Sequence, residues 1–140
     1  MIFQYTWPSV IRENKTATRR VVKTSEKAVR GRYNRIEAVY HNGRAKWEVG
    51  KTYAVQTGRG QEQIARIRLV RIRSEQVTRI SSMGAVAEGF ASRQDFLRVW
   101  KHIHGPGSHQ LRVWVLEFEL DAICMDVTSL LNSKTSALIY

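Results

Sequence analysis

The residues best equipped for chemistry fall in one short run, Lys15-Thr16-Ala17-Thr18-Arg19-Arg20-Val21-Val22. Its alternating, β-branched character reads as a strand. On a strand, Thr18 and Arg20 share a face, roughly 7 Å apart. Just upstream, the pattern predicts a short helix over Pro8–Glu13, with proline at the favoured first position and Asn14 in the left-handed turn that ends it. Lys15 then stands at the helix-to-strand corner, where its flexible stem brings the amine back over Thr18 and Arg20. An amine, a hydroxyl and a guanidinium converging on one spot suit an anionic or carbonyl-bearing ligand. The spacing alone fits an ordinary amphipathic edge strand at least as well.

Other chemically capable residues are dispersed. Glu88 sits beside glycine in a semi-apolar segment (Ala85, Val86, Ala87, Phe90), a setting more typical of a surface carboxylate than of a catalytic one. In Thr57-Gly58-Arg59-Gly60, glycines flank Arg59 and allow close backbone approach to a phosphate, although a plain turn explains them more simply. Arg66, Arg68, Arg71 and Arg73 line the outward face of one strand, either as a phosphate-binding stripe or as protection for a sheet edge. Between Thr24 and Lys46, Lys27, Arg30, Arg32, Arg35, Arg44 and Lys46 alternate with Tyr33, Tyr40 and His41. That mixture equips a chain for single-stranded nucleic acid, or it belongs to a solvated hairpin turning at Asn42-Gly43. His102 and His104 lie on different faces of a helix, and with the single Cys124 and no paired acidic cluster the sequence suggests no metal and no cofactor.

The elements that must position these groups are mostly strands. Ile2–Tyr5 reads as a first strand, and Lys46–Gln56 as a turn at Gly50 leading into another. In Gln63–Arg73, Ala65, Ile67 and Leu69 face one way, after which Val70 and Ile72 become the apolar set. The period-2 phase slips between Leu69 and Val70, which predicts a β-bulge or sharp bend. Gln76–Met83 reads as a turn or short helix. Ser92 caps a helix with Asp95 three residues on, and Phe96, Leu97, Trp100 and Ile103 form its buried stripe until Gly105-Pro106-Gly107 stops it. Leu111–Leu120 is the cleanest strand, with Trp114, Leu116, Phe118 and Leu120 inward and Val113, Val115, Glu117 and Glu119 outward. Five to six mostly antiparallel strands with two or more helices give an α+β fold, a small β-barrel capped by helices. Residues 1–120 form one domain with a basic insertion around 24–46, and 121–140 a tail that packs on the barrel or extends it.

Composition narrows the partner. The chain of 140 residues carries a net charge of +11, and sixteen of its twenty-three basic residues are arginine. An excess of this size points to a polyanion such as RNA or a nucleotide, and arginine suits bidentate phosphate contact and base stacking. No apolar run approaches ~20 residues, so no membrane span is expected. Met1-Ile2-Phe3-Gln4-Tyr5 has none of the regions of a signal peptide, and one cysteine fits a reducing cytoplasm. A monomer is assumed.

The central run also resembles the signature of the ASCH domain, a PUA-like β-barrel family linked to RNA, whose motif is Gly-x-Lys-x-x-Glu-x-Arg. Here the frame reads Glu13-Asn14-Lys15-Thr16-Ala17-Thr18-Arg19-Arg20, with lysine and arginine in place, Glu13 instead of glycine and Thr18 instead of glutamate. It is similar to a Lys-Thr-x-Thr-x-Arg branch of small bacterial and phage-type ASCH proteins, one of which removes the acyl group from 4-acetylcytidine with lysine, threonine and a later glutamate. The resemblance covers roughly Ile2–Leu120 and implies a PUA-like barrel with Lys15, Thr18 and Glu88 catalytic. Arg20 would hold sugar, phosphate or oxyanion, with Arg19, Arg59, Arg66, Arg68, Arg71 and Arg73 as further nucleic-acid contacts. Lys15 serves as base with Glu88 as shuttle, or the two exchange roles; a free lysine near pKa ~10.4 needs burial or nearby positive charge to act as base. The alternatives are a non-catalytic RNA-binding module and a metal-independent hydrolase of single-stranded RNA.

Overall fold

Long alternating runs of aliphatic residues and arginine satisfy their backbone groups best in a ladder. In the computed structural model, which describes residues 1–124 and 130–131, such runs build most of the fold. A helix α1 (Trp7–Ile11) leads into β1 (Ala17–Val21), followed by β2 (Glu26–Arg30), β3 (Ile36–His41), β4 (Arg44–Glu48), β5 (Thr52–Gln56) and the long β6 (Gln63–Gln76). Helices α2 (Ser82–Ala87) and α3 (Arg93–His104) separate β6 from β7 (Arg112–Ile123). Seven strands form one sheet, in the order β1-β7-β6-β3-β2, with β4 added to β3 and β5 to β6. Every pairing between named strands is antiparallel. The α+β class stands, with seven strands where five to six were expected. β1 and β2 do not pair, so hydrogen bonds do not close the barrel.

The phase slip is present. Leu69 pairs with Phe118 and Arg71 with Glu117, leaving Val70 as the bulged residue. Val70 is consequently exposed, while Ile72 is buried and faces Ile36 of β3. The expected burial of Val70 fails because the bulge removes that residue from the alternation. β5 runs along the first half of β6, and β3 meets its second half at Ile72.

Residues 24–46 supply β2, β3 and most of β4, joined at Asn42-Gly43, both with positive φ as a primed hairpin turn requires. Glu26 anchors this layer: its buried carboxylate accepts from Trp114 Nε1 at 2.9 Å, Lys46 Nζ at 2.6 Å and the Lys23 N–H at 2.8 Å. Burial alone would raise its pKa; those three donors outweigh it and hold the carboxyl below the ordinary range.

Three expectations need correction. The first strand shrinks to a single parallel bridge between Ile2 and Gln56. Val113 and Val115 are fully buried rather than outward, because α3 covers that face of β7 through Phe96 and Trp100. Ile103, assigned to the buried stripe of α3, is 51% exposed, and Val99 is buried with Phe96 and Trp100. Ser92 does cap α3, accepting from the Asp95 N–H at 3.1 Å. Most of 121–140 lies outside the described residues, although β7 continues to Ile123. Among the described residues, no helix is long and apolar enough to cross a membrane.

α1 ends in a Schellman motif: the Glu13 N–H bonds Val10 O and the Asn14 N–H bonds Ser9 O. The left-handed residue is therefore Glu13, at φ 60°, and not Asn14. A side chain there opposes the preference for glycine. Glu13→Gly should stabilise the fold by about 0.5–1 kcal/mol, the relieved strain exceeding glycine's unfolded-state entropy. Denaturant unfolding measures it; a destabilised variant would show that the Glu13 side chain contributes more than its strain costs.

Candidate functional site

The Schellman turn sets the direction of everything after it. Ser9 O also accepts from the Lys15 N–H at 3.0 Å, so the lysine leaves the corner at a fixed angle. Thr16 then bonds on both sides: its carbonyl accepts from Phe118 N of β7, and its N–H donates to Ala87 O at 2.7 Å. The second bond docks the end of α2 against the edge of β1 that no strand occupies. Gly89, at φ 94°, turns the chain there, and a Cβ on it would lie 3.5–3.6 Å from Ser9 and Lys15. This docking delivers Glu88 to the lysine.

The Glu88 carboxylate is buried and holds two cations. Lys15 Nζ lies 2.6 Å from Oε1 and also donates to the Glu88 carbonyl at 3.0 Å. Arg19 Nη1 lies 3.2 Å from Oε2, while its Nε and Nη2 reach Glu75 Oε1 at 3.2 and 2.8 Å. Gly84 lets Arg19 pass beneath α2, since a Cβ there would approach Arg19 Nη2 to 3.1 Å. Lys15 and Arg19 have side chains 4% and 1% exposed, values rarely seen for unpaired cations. Burial lowers the Lys15 pKa; Glu88 works against this by charge and hydrogen bond, while Arg20 and Arg19 add to it. The net direction is down, because full burial removes the water that would stabilise an ammonium.

A pocket of about 270 Å³ opens above this network, lined by Lys15, Thr18, Arg19, Arg20 and Glu88. Its walls are apolar and aromatic, including Phe3, Tyr5, Phe90, Phe96 and Trp100. Thr18 is buried, and its hydroxyl makes no hydrogen bond among the described residues. Arg20 lies over the Phe3 ring at 5.3 Å and donates from Nη2 to Ile2 O at 2.9 Å. Its buried Nε–H finds no acceptor among the described residues. Two unspent polar groups beside a buried amine make a site ready to receive a carbonyl or an amide.

The sequence run thus brings Lys15, Thr18, Arg20 and Glu88 together with Arg19, which acts as an internal counter-ion. The other arginines lie elsewhere. Arg59 sits in the β5–β6 turn and does not line the pocket. Arg66 bonds Thr52 and Gln63; Arg68 pairs with Asp121 at 3.0 Å. Arg71 lies 3.7 Å from Glu117, and Arg73 lies 3.2 Å from Glu75. These side chains knit the sheet surface. Glu75 and the aromatic walls had no sequence signal, except that Phe96, Trp100 and Ile103 stood out as a stripe and were assigned to the core.

No family model matches the chain, and no curated protein matches it by sequence. Solved structures do match by shape. One is a crystal structure of an Enterococcus faecalis V583 protein described under DUF984, with TM-score 0.56 and 17% identity, covering 84% of this chain and 71% of that one. Another is an ASCH domain from Lactobacillus crispatus JV V101, with TM-score 0.52 and 17% identity over 81% of this chain and 69% of that one. With its α+β order and coiled antiparallel sheet, the chain has the fold of an ASCH domain.

Proposed function

We propose that the pocket hydrolyses an acyl amide on a modified cytosine base, of the 4-acetylcytidine kind. The observation that carries this reading is the buried Lys15 amine, its pKa lowered, in the same pocket floor as an unbonded Thr18 hydroxyl. A neutral amine is the general base that a weak hydroxyl nucleophile needs. Lys15 takes a proton from Thr18 Oγ, or from a water that Thr18 orients. The oxygen adds to the acyl carbon, the C–N bond breaks, and the base amino group leaves with the proton that Lys15 returns. Where Thr18 Oγ is the nucleophile, a water deprotonated by Lys15 then cleaves the threonyl ester and releases acetate. Arg20 Nε–H meets the developing oxyanion, and Glu88 fixes the amine in place. At about 270 Å³ the pocket falls below the ~300 Å³ lower end for drug-sized ligands. It suits one planar ring between aromatic walls, with the ribose outside. The net charge of +11 supports a nucleic-acid partner for the protein as a whole.

Wild-type protein should release acetate from 4-acetylcytidine, and Thr18→Val, nearly isosteric, should lower kcat/KM by about 100-fold or more. Absence of acetate from the wild type would overturn the reading. The pH profile of kcat/KM should climb through a pKa below the ordinary lysine value, since only the neutral amine accepts a proton. A flat profile across that range would remove Lys15 as the base.

Stability carries a matching signature. Burial makes Lys15 titrate lower in the fold than an ordinary lysine in the unfolded chain. Between those two values the unfolded chain binds a proton that the folded chain does not, so stability rises with pH through that window. Lys15→Met should abolish the rise.

The two halves of the ion pair should also differ. Glu88→Gln leaves Lys15 with no carboxylate, at a cost of about 3–5 kcal/mol. Lys15→Met leaves Glu88 paired with Arg19 and should cost less. Chemical denaturation of both variants tests the order.

A further inference from the structure

A second concavity shares no lining residue with the pocket. It is a groove of about 1040 Å³ between the loop joining β2 to β3 and the far half of β6. Six arginines line it (Arg30, Arg32, Arg35, Arg71, Arg73 and Arg112), against one carboxylate, Glu37. Arg71 and Arg73 are engaged by Glu117 and Glu75. Arg30, Arg32, Arg35 and Arg112 are exposed and have no carboxylate partner among the described residues. Uncompensated guanidinium groups around one concave surface repel one another until an anion separates them.

The loop adds an aromatic ring to this charge. Tyr33 is 82% exposed, and its backbone lies in the left-handed region at φ 58°, followed by Asn34 at φ 59°. Asparagine tolerates that region; tyrosine does so at a cost. The strain is held in place by a closed turn: the Gly31 N–H bonds Arg35 O, the Asn34 N–H bonds Gly31 O, and Arg30 Nη1 donates to Asn34 O at 2.9 Å. Arg35 lies 6.0 Å from the Tyr33 ring centroid. A large ring is therefore fixed in solvent, in a strained conformation, beside four guanidinium groups that no carboxylate engages among the described residues. Nothing in the packing of the fold needs it there, since Tyr33 belongs to none of the core clusters.

We infer that this groove is a second binding site, which takes a single-stranded, phosphodiester-linked nucleic acid and stacks one base on Tyr33. Arginines holding phosphates along a groove, with an exposed aromatic face for a base, are what single strands require. A duplex, whose bases are already stacked, would leave the ring unused. The inference does not rest on the acyl-transfer reading.

The test is fluorescence anisotropy with a labelled single-stranded oligoribonucleotide, titrated at several salt concentrations. Wild-type affinity should fall steeply with salt, and Arg32→Ala and Arg35→Ala should each flatten the log–log slope by about 0.7. Tyr33→Gly should weaken binding by about 5- to 150-fold, the equivalent of one lost stack, with the slope unchanged. The same variant should leave Tm level or higher, because glycine accepts the left-handed backbone. That split excludes a merely structural role for the ring. Equal binding of the DNA strand of the same sequence would support recognition of the phosphodiester chain, and preference for RNA would place a 2′-hydroxyl contact in the same groove. Unchanged affinity in the combined Arg32→Ala, Arg35→Ala, Tyr33→Gly protein would overturn the inference. So would binding to phosphatidylserine vesicles without binding to the oligonucleotide. Acetate release from free 4-acetylcytidine by the groove variants, measured alongside, separates failure here from failure of the pocket reading.

Discussion

One buried carboxylate organises the candidate site. Glu88 sits between Lys15 and Arg19, and Arg19 continues to Glu75, so four charges share a space that water barely enters. Such a network is expensive to bury, and replacing one by apolar residues of similar volume is often neutral or stabilising. Its retention makes sense where the charges do something apolar residues cannot. Here they hold a lysine amine at the floor of a pocket with its proton weakened. They also couple distant parts of the chain: α2 must dock on β1 for Glu88 to arrive, and β6 must pair with β7 in register for Glu75 to meet Arg19.

The parts legible in the sequence were those set by local backbone chemistry. A proline, a Schellman turn and an alternating run place Lys15 at a corner and Thr18 beside Arg20 within a few residues. The bulge at Val70 was visible because a period-2 pattern cannot change phase without an extra residue. What was hidden depended on partners far along the chain. Arg19 read as a ligand contact, and its bonds to Glu75, 56 residues away, had no local signal. The arginines of β6 looked like a free stripe until the register set Arg71 opposite Glu117. Val113 and Val115 looked outward because alternation predicts faces but not what covers them. Glu88 was legible only through family resemblance, since its importance lies in a contact across 73 residues.

Charge is distributed between two surfaces in opposite ways. Beneath the pocket, Lys15 and Arg19 are held by Glu88 and Glu75 in a space that water barely enters. In the groove, four exposed arginines have no carboxylate partner among the described residues. The first arrangement weakens the hold of Lys15 on its proton; screening by salt reaches it weakly because it is buried. The second would attract the inferred polyanion from a distance and lose that attraction as salt rises.

That division explains why a protein this basic can still have a site suited to a neutral base. The long-range field of +11 arises from the whole surface and would attract a phosphate chain of the proposed kind. It cannot choose among bases, because a phosphodiester backbone looks alike along its length. In the proposed function, choice would fall to the pocket, whose walls are aromatic and whose floor offers an unbonded hydroxyl and an unbonded guanidinium N–H. Tyr33 stands on the other side of that division, since stacking accepts any base. A strained tyrosine suits holding a strand without reading it, and in the proposed hydrolase the buried lysine would act only on what fits beneath it.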